Sequence, residues 1–184
     1  MQPSYKHYLK IIRNTCTGHE RPVTIPSEEL ADLARLAEDH CTVPFVLSSF
    51  RGTPFYPSML QRTRSMMLNY YQIDQFTRHT VSLLEDNGID CILLKGISLA
   101  SCYPVPEYRK LGDLDLYISR KSDVSKAQKL LEANGYIAEN ELSDHHLTYH
   151  YTFQKTGRRF LLELHYRVVG MYQYERANEI VNQV

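Results

Sequence analysis

Hydrophobic residues recur every three or four positions through the first half of the chain, which predicts a helical N-terminal part. The first clear run places its apolar residues at Leu30, Leu33, Ala34 and Ala37. Ser27 precedes this run and is typical of a helix cap, so we expect a helix that ends near His40. The stretch 58–87 contains neither glycine nor proline and keeps the same spacing. It predicts one long helix that stops at Asn87-Gly88.

After Gly88 the hydrophobic residues no longer keep a helical spacing throughout, and segments typical of strands begin. Strands are predicted at 89–94, 113–118, 146–154 and 158–166, and helices at 97–102, 122–133 and 173–184. The run 89–94 is apolar almost throughout, which favours a buried strand. Ser122 is expected to cap its helix and Asn134-Gly135 to end it.

These elements predict three regions along the chain. Residues 1–72 form a helical N-terminal region, 73–170 a core that contains all the strands, and 171–184 the start of a C-terminal helix. The last helix reaches the final residue without a stop signal, which is typical of a truncated chain.

Composition and charge exclude several classes of protein. The 184 residues carry 21 basic and 21 acidic side chains, so their balance disfavours binding of a long nucleic acid. No apolar run approaches the roughly 20 residues of a membrane-spanning helix, and the first residues lack the apolar centre of a signal peptide. A cytoplasmic location is the default expectation. Four cysteines without a CxxC pair predict reduced thiols.

Two aspartates in the second predicted strand are the first candidates for chemistry. Asp113 and Asp115 are two positions apart, so in a strand both side chains project from the same face. Such a pair repels itself unless a cation lies between its members, and Mg²⁺ prefers oxygen ligands of this kind. Glu163 lies among leucines in a later strand, where a charge is costly unless it is paired or bound to metal. The alternative is that all three are solvated carboxylates without a ligand.

The order of the motifs resembles a known family. Leu94-Lys95-Gly96 is followed by Tyr103-Pro104, then by Arg109, and then by Gly112-Asp113-Leu114-Asp115-Leu116. This order resembles the uncharacterised bacterial nucleotidyltransferases of the polymerase-beta-like superfamily, and Glu163-Leu164-His165 matches their later acidic-Leu-His element. The resemblance runs from about 89 to 166.

This resemblance implies an α+β fold, with a small mixed β-sheet and helices on one side of it, and the helices predicted from the pattern before it form an N-terminal helical extension. It implies that Asp113, Asp115 and Glu163 hold two Mg²⁺ (or Mn²⁺) ions around a nucleoside triphosphate. An acceptor hydroxyl would attack the α-phosphate and pyrophosphate would leave. Glu163 would also be the natural base for that hydroxyl.

The chain departs from the superfamily at the phosphate-binding turn. The usual Gly-Ser or Gly-Gly is replaced by Lys95-Gly96, and Ser98 comes two residues later. We expect Lys95 and Arg109 to supply positive charge to the phosphates, together with backbone amides at the start of the helix near 97. Gly96 and Gly112 would let the substrate approach the backbone. The alternatives are a solvated strand end for Lys95 and an ion pair with Glu107 for Arg109.

Histidines cluster in the last two predicted strands, at His145, His146, His150 and His165. Their spacing matches no zinc-binding pattern, so we expect no transition-metal site among them. His165 differs because it shares a strand face with Glu163, where it could orient that carboxylate or contact a phosphate.

Three functions remain open at this point. The first is a metal-dependent nucleotidyltransferase, the second a nucleotide-binding or regulatory module with the same fold, and the third a metal-dependent phosphohydrolase. The expected partners are a nucleoside triphosphate and a small-molecule or protein acceptor. The fold does not select among acceptors.

Overall fold

A computed structural model describes residues 3–18, 23–139, 150–167, 176, 179 and 180. The α+β prediction is confirmed, since helices accompany one mixed sheet. The helices are α1 (Pro3–Thr17), α2 (Leu30–Asp39), α3 (Val43–Val46), α4 (Tyr56–Glu85), α5 (Lys95–Ala100) and α6 (Lys121–Ala133). The strands are β1 (Ile92–Leu93), β2 (Leu114–Tyr117), β3 (Tyr136–Ala138), β4 (His150–Lys155) and β5 (Leu161–His165).

The sheet has the strand order β1-β2-β5-β4-β3. Strand β5 is therefore central, with β2 parallel to it on one side and β4 antiparallel to it on the other. The hairpin of β4 and β5 turns near Gly157, whose φ of +75° glycine adopts without a steric penalty.

The two faces of the sheet differ in chemistry because side chains alternate along each strand. One face is apolar and fully buried in its centre, with Leu114, Leu116, Phe153, Leu162 and Leu164. The register puts a polar set on the opposite face, comprising Asp115, His150, Glu163 and His165. The apolar face anchors the strands, and the polar face holds every strand-borne group of the candidate site.

The second half of α4 packs against the edge of this sheet. The ring of Phe76 stacks on that of Tyr136 in β3 with a centroid distance of 6.1 Å. Thr80 donates its hydroxyl proton to the carbonyl of Phe76, so the Tyr136 hydroxyl, 2.8 Å from the Thr80 oxygen, is the donor of that second bond.

The chain divides into two compact units, Met1–Gln72 with Leu99–Leu111, and Ile73–Ser98 with Gly112–Val184. The first unit has a helical core of its own, formed by Tyr8, Ile11, Leu33, Ala37, Val43, Val46, Phe50 and Met59. Its later segment is joined to α3 by aromatic contacts, since Phe45 touches the rings of Tyr103 and Tyr108. The second unit contains the whole sheet.

Several predicted details are wrong. The run 89–94 yields only the two-residue strand β1, whose Ile92 is 54% exposed. It lies at an edge of the sheet rather than in its interior. Strand β3 was not predicted. Neither Ser27 nor Ser122 is a cap, because Pro26 and Arg120 hold the N-cap positions and make no side-chain capping bond.

Other expectations are met or fall outside the described residues. Helix α4 and the stop at Asn134-Gly135 agree with the pattern. Of the predicted helix 173–184 the structure describes only Arg176, Glu179 and Ile180, all helical. His145 and His146 lie outside the described residues. Among the described helices, none combines the length and apolar character that a membrane span requires.

Candidate active site

The three predicted acids meet on the polar face of the sheet. The parallel register of β2 and β5 sets Asp115 directly beside Glu163. Asp113 precedes β2, and each of the three residues offers a carboxylate oxygen within 4.8 Å of the others. Residues 48 positions apart in the sequence (163 − 115) therefore form one acidic group.

Asp115 is the most buried of the three, with 1% of its side chain exposed. Its Oδ1 lies 2.8 Å from Lys95 Nζ and 3.1 Å from His165 Nε2. Burial alone would raise the pKa of Asp115, but hydrogen bonds from His165 and Lys95 outweigh it and lower the pKa. Its Oδ2 is buried and accepts no hydrogen bond from the residues that the structure describes. A buried carboxylate oxygen in this state suits a metal ligand.

Glu163 behaves in the opposite way. Burial raises its pKa, and the neighbouring charges of Asp115 and Asp113 raise it further. The pair therefore keeps its negative charge on Asp115, and Glu163 is the acid that takes up a proton more readily. A divalent cation would relieve the repulsion that produces this difference.

Lys95 supplies the positive charge that the carboxylates have in this structure. Besides its contact with Asp115, its Nζ lies 4.0 Å from Glu163 Oε2. The hydrogen bond to Asp115 raises the pKa of Lys95. Its side chain is still 57% exposed, so the ammonium group also faces water. Lys95, which the sequence suggested as a residue that binds the phosphates, is thus paired with acidic side chains in this structure.

The turn that carries Lys95 has an unusual backbone. Lys95 and Gly96 have φ of 26° and 29°, which is uncommon for a lysine. A Cβ at Gly96 would lie 3.7 Å from Asp115 Oδ2 and 3.8 Å from the carbonyl oxygen of Asp113. An added Cβ would therefore make ordinary van der Waals contacts, and the positive φ is what favours glycine at this position. Ser98 donates its hydroxyl to the carbonyl of Lys95 over 2.5 Å, and Gly112 has open space around it.

Arg109 belongs to the first unit, whereas the carboxylates belong to the second. Its Nη1 donates to the Tyr103 hydroxyl over 3.0 Å, and its guanidinium carbon lies 5.4 Å from the centroid of the Tyr103 ring. Glu107, the acid suggested by the sequence as an ion-pair partner, accepts a hydrogen bond of 2.9 Å from Tyr71. Arg109 is therefore held against Tyr103, a residue of its own unit.

The structure adds His150, which the sequence did not single out as a site residue. It lies opposite His165 in the β4–β5 register, with ring centroids 5.1 Å apart. Its Nε2 is 3.9 Å from Glu163 Oε1. Burial lowers the pKa of His150, and the nearby His165 lowers it further. The pairing register, which a sequence pattern does not specify, brings it to Glu163.

Six of the predicted site residues lie together in the structure. Lys95, Gly96, Asp115, Glu163 and His165 are within contact distance of one another or of a shared neighbour, and Asp113 joins them through the acidic group. Three carboxylates beside an exposed ammonium can hold hard cations and the phosphates that accompany them.

The chain matches the model of a known protein family. A family described as uncharacterised nucleotidyltransferase matches residues 26–183. The match begins well before the motifs and includes α2, so it extends further than the resemblance that the motifs carry. No curated protein matches the chain.

Proposed function

The chain belongs to this family of uncharacterised nucleotidyltransferases, and from that premise we propose that it is a magnesium-dependent enzyme. It transfers a nucleoside monophosphate from a nucleoside triphosphate to an acceptor and releases pyrophosphate. The observation that carries the proposal is the convergence of Asp113, Asp115 and Glu163 on one face of the sheet.

The acidic group fits a divalent cation. Asp115 Oδ2 is buried without a hydrogen-bond donor among the described residues, and three clustered carboxylates repel one another in the absence of positive charge. Asp113, Asp115 and Glu163 would be the ligands. When bound, Mg²⁺ or Mn²⁺ neutralises phosphate charge and lowers the pKa of the attacking hydroxyl.

Lys95 has a role that follows from its present contacts. Its ammonium group is half exposed and paired with the acids that would receive the cation. We propose that it leaves them for the triphosphate, to which it offers a point charge. Ser98, whose hydroxyl now donates to the Lys95 carbonyl, would donate to a phosphate oxygen instead, and Gly96 and Gly112 carry no side chain beside the backbone.

His165 acts as a positioning residue in this proposal. It is 2% exposed, and its Nε2 lies 3.1 Å from Asp115 Oδ1 and 3.4 Å from Glu163 Oε2. It therefore fixes the orientation of both carboxylates. Glu163 is the acid with the raised pKa, which suits it to accept the proton of the acceptor hydroxyl.

Thermal shift with each of the four common triphosphates, in the presence of Mg²⁺ or Mn²⁺, tests the binding step. We expect a metal-dependent rise in melting temperature for at least one nucleotide, and none for Asp113→Asn/Asp115→Asn. Asp32→Asn/Asp39→Asn is the matched control, since both aspartates are exposed on α2 and pair only with Arg35 among the described residues. Equal shifts in the two double variants would refute the site.

The product separates this function from its alternatives. A nucleotidyltransferase releases pyrophosphate when an acceptor is present, and the labelled monophosphate appears on that acceptor. A phosphohydrolase releases orthophosphate without an acceptor. Tight nucleotide binding without either product, across a panel of sugar, aminoglycoside and protein acceptors, would identify a binding module and overturn the proposal.

A further inference from the structure

A second group of metal-binding side chains lies beside the acids on the polar face of the sheet. His150 on β4 is directly opposite His165 on β5, and Glu163 is two residues before His165. Each residue offers a ligand atom within 4.8 Å of the others. We propose that His150, Glu163 and His165 bind a divalent transition-metal ion of the zinc type, at a position adjoining the all-carboxylate group.

The spacing of the ligand atoms supports this proposal. Ligand atoms around tetrahedral zinc lie about 3.3 Å apart, since each is roughly 2.0–2.1 Å from the ion. His165 Nε2 is 3.4 Å from Glu163 Oε2, and His150 Nε2 is 3.9 Å from Glu163 Oε1. Both distances are near the tetrahedral value, so modest side-chain rotations would bring these ligand atoms around one ion. Asp115 Oδ1, 3.1 Å from His165 Nε2, is within reach as a fourth ligand.

The donor atoms distinguish this position from the acidic group. Imidazole nitrogen binds Zn²⁺, Co²⁺ and Fe²⁺ well, whereas Mg²⁺ selects oxygen ligands. Two histidines and one carboxylate form a mixed nitrogen and oxygen set, and Glu163 is common to both groups. Three carboxylates are thus available to a hard cation. Two imidazoles on the same face of the sheet are available to a softer one.

His165 Nε2 faces Asp115 and Glu163. To bind a metal through Nε2, His165 would exchange its hydrogen bond to Asp115 Oδ1 for the ion. The ion can reach the group from solvent, because 20% of the His150 side chain and 21% of the Glu163 side chain are exposed.

The test uses the full-length protein without nucleotide, so its result does not depend on the proposed transfer reaction. Zn²⁺ is titrated calorimetrically, and Co²⁺ is followed by its visible absorption. We expect His150→Phe, which keeps an aromatic ring against His165, to weaken Zn²⁺ binding at least tenfold and to abolish the Co²⁺ bands. His79→Phe, on exposed α4 surface, is the matched control and should behave as the wild type.

Magnesium distinguishes the two groups of ligands. With Mg²⁺ alone and no nucleotide, the melting temperature of His150→Phe should rise as much as that of the wild type, because the variant keeps all three carboxylates. Glu163→Gln should lose the response to both ions, because Glu163 belongs to both groups. If His150→Phe loses both responses, His150 supports the acids structurally and the proposal is refuted.

A measurement on the wild type keeps the proposal testable if His150→Phe does not fold. X-ray absorption at the zinc edge should show the outer-shell scattering of two imidazoles. A zinc shell of oxygen or sulfur alone would overturn the proposal, as would unchanged Zn²⁺ affinity in a folded His150→Phe variant or the absence of saturable binding in the wild type. In any of these cases the proposed nucleotidyl transfer would stand unaffected.

Discussion

Asp115 is a carboxylate almost completely removed from water, and such a charge is tolerated only with partners. Removal of a partner from a buried ion pair costs several kcal/mol in general, because the remaining charge stays in a medium of low polarity. Here Lys95 and His165 both contact the same oxygen of Asp115, Oδ1. The centre of β2 can therefore carry an acid because Lys95, at the start of α5, and His165, on β5, both contact it.

Lys95→Met should destabilise the protein in metal-free buffer by about 1 kcal/mol, a moderate value because the lysine is half exposed and solvent screens the pair. Addition of Mg²⁺ should recover most of this loss, since the cation replaces the ammonium group beside Asp115. Urea unfolding with and without Mg²⁺ measures both effects.

Lys126→Met serves as the control, because Lys126 is an exposed lysine 3.5 Å from the buried Asp123, which also keeps Arg120 as a partner. Its stability should not respond to Mg²⁺. An equal response to Mg²⁺ in both variants would show that Lys95 does not occupy the position of the cation.

His79 gives a pH dependence with a defined sign. Burial and the charge of Lys155, whose Nζ donates to His79 Nε2 over 2.6 Å, lower the pKa of His79. The unfolded chain then binds a proton more readily than the folded one, so stability falls as the pH drops through the unfolded value near 6.5 and levels off below the folded pKa. The loss arises because protonation sets two positive charges against each other.

The difference in unfolding free energy between wild type and His79→Gln isolates this effect, since other histidines cancel. We expect the free energy of unfolding of the wild type to fall relative to that of His79→Gln as the pH is lowered from 7.5 to 5. A difference that stays constant or grows over this range would contradict the lowered pKa.

Side chains of the site were predictable from sequence to different degrees. Asp113 and Asp115 share a predicted strand and a motif, so alternation alone predicts that they lie on one face. Glu163 was suggested by its position among leucines and by the resemblance. His150 was not, because its proximity to Glu163 depends on how β4 and β5 are paired, and a shift of one residue would turn it to the other face.

Elements with a strong local signal were predicted well. Helix α4 follows from a long stretch without glycine or proline, and the β4–β5 hairpin from a glycine turn between alternating segments. Elements whose environment is set by distant partners were not. Ile92 and Leu93 resemble an interior strand, yet the sheet ends at β1 and leaves them exposed. Strand β3 has three residues and exists through its pairing with β4.

The packing of α4 on β3 can be tested with a double-mutant cycle. Thr80→Val and Tyr136→Phe should each cost about 1–2 kcal/mol, because each leaves a buried polar group without its bond. The double variant should cost less than the sum, with a coupling of roughly 0.5–1.5 kcal/mol. Unfolding in denaturant measures all four proteins.

Thr77→Val is the matched control on the same helix. The hydroxyl of Thr77 is buried and has no hydrogen-bond partner among the described residues, so its removal should be neutral or stabilising. Additive effects of Thr80→Val and Tyr136→Phe would contradict the hydrogen bond between them.

The chain passes between the two units three times, after Gln72, after Ser98 and after Leu111. Leu99–Leu111 thus leaves the unit that carries the sheet and packs in the first unit, where Tyr103 and Tyr108 meet Phe45. Arg109 and Asp113 belong to the same series of sequence motifs and are four residues apart, and yet they lie in different units.

A fragment spanning 73–184 should therefore be less stable than the full chain. It contains all five strands but removes Phe45 and the rest of the core against which Leu99–Leu111 packs. We expect a lower melting temperature and partial aggregation, measured by thermal unfolding and gel filtration. Full-length Phe45→Ala should shift in the same direction. Cooperative unfolding of the fragment at the temperature of the full chain would contradict this.

The strand order has a consequence for biosynthesis. Among the strands that the structure describes, β5 is central in the sheet but last in sequence, so β2 has only the two residues of β1 beside it until the ribosome has delivered His165. A nascent polypeptide stalled before that point exposes the other edge of β2, the kind of unpaired edge that favours aggregation and chaperone capture. The same delayed insertion brings Glu163 to Asp115, so folding of the sheet and assembly of the acidic group are one event.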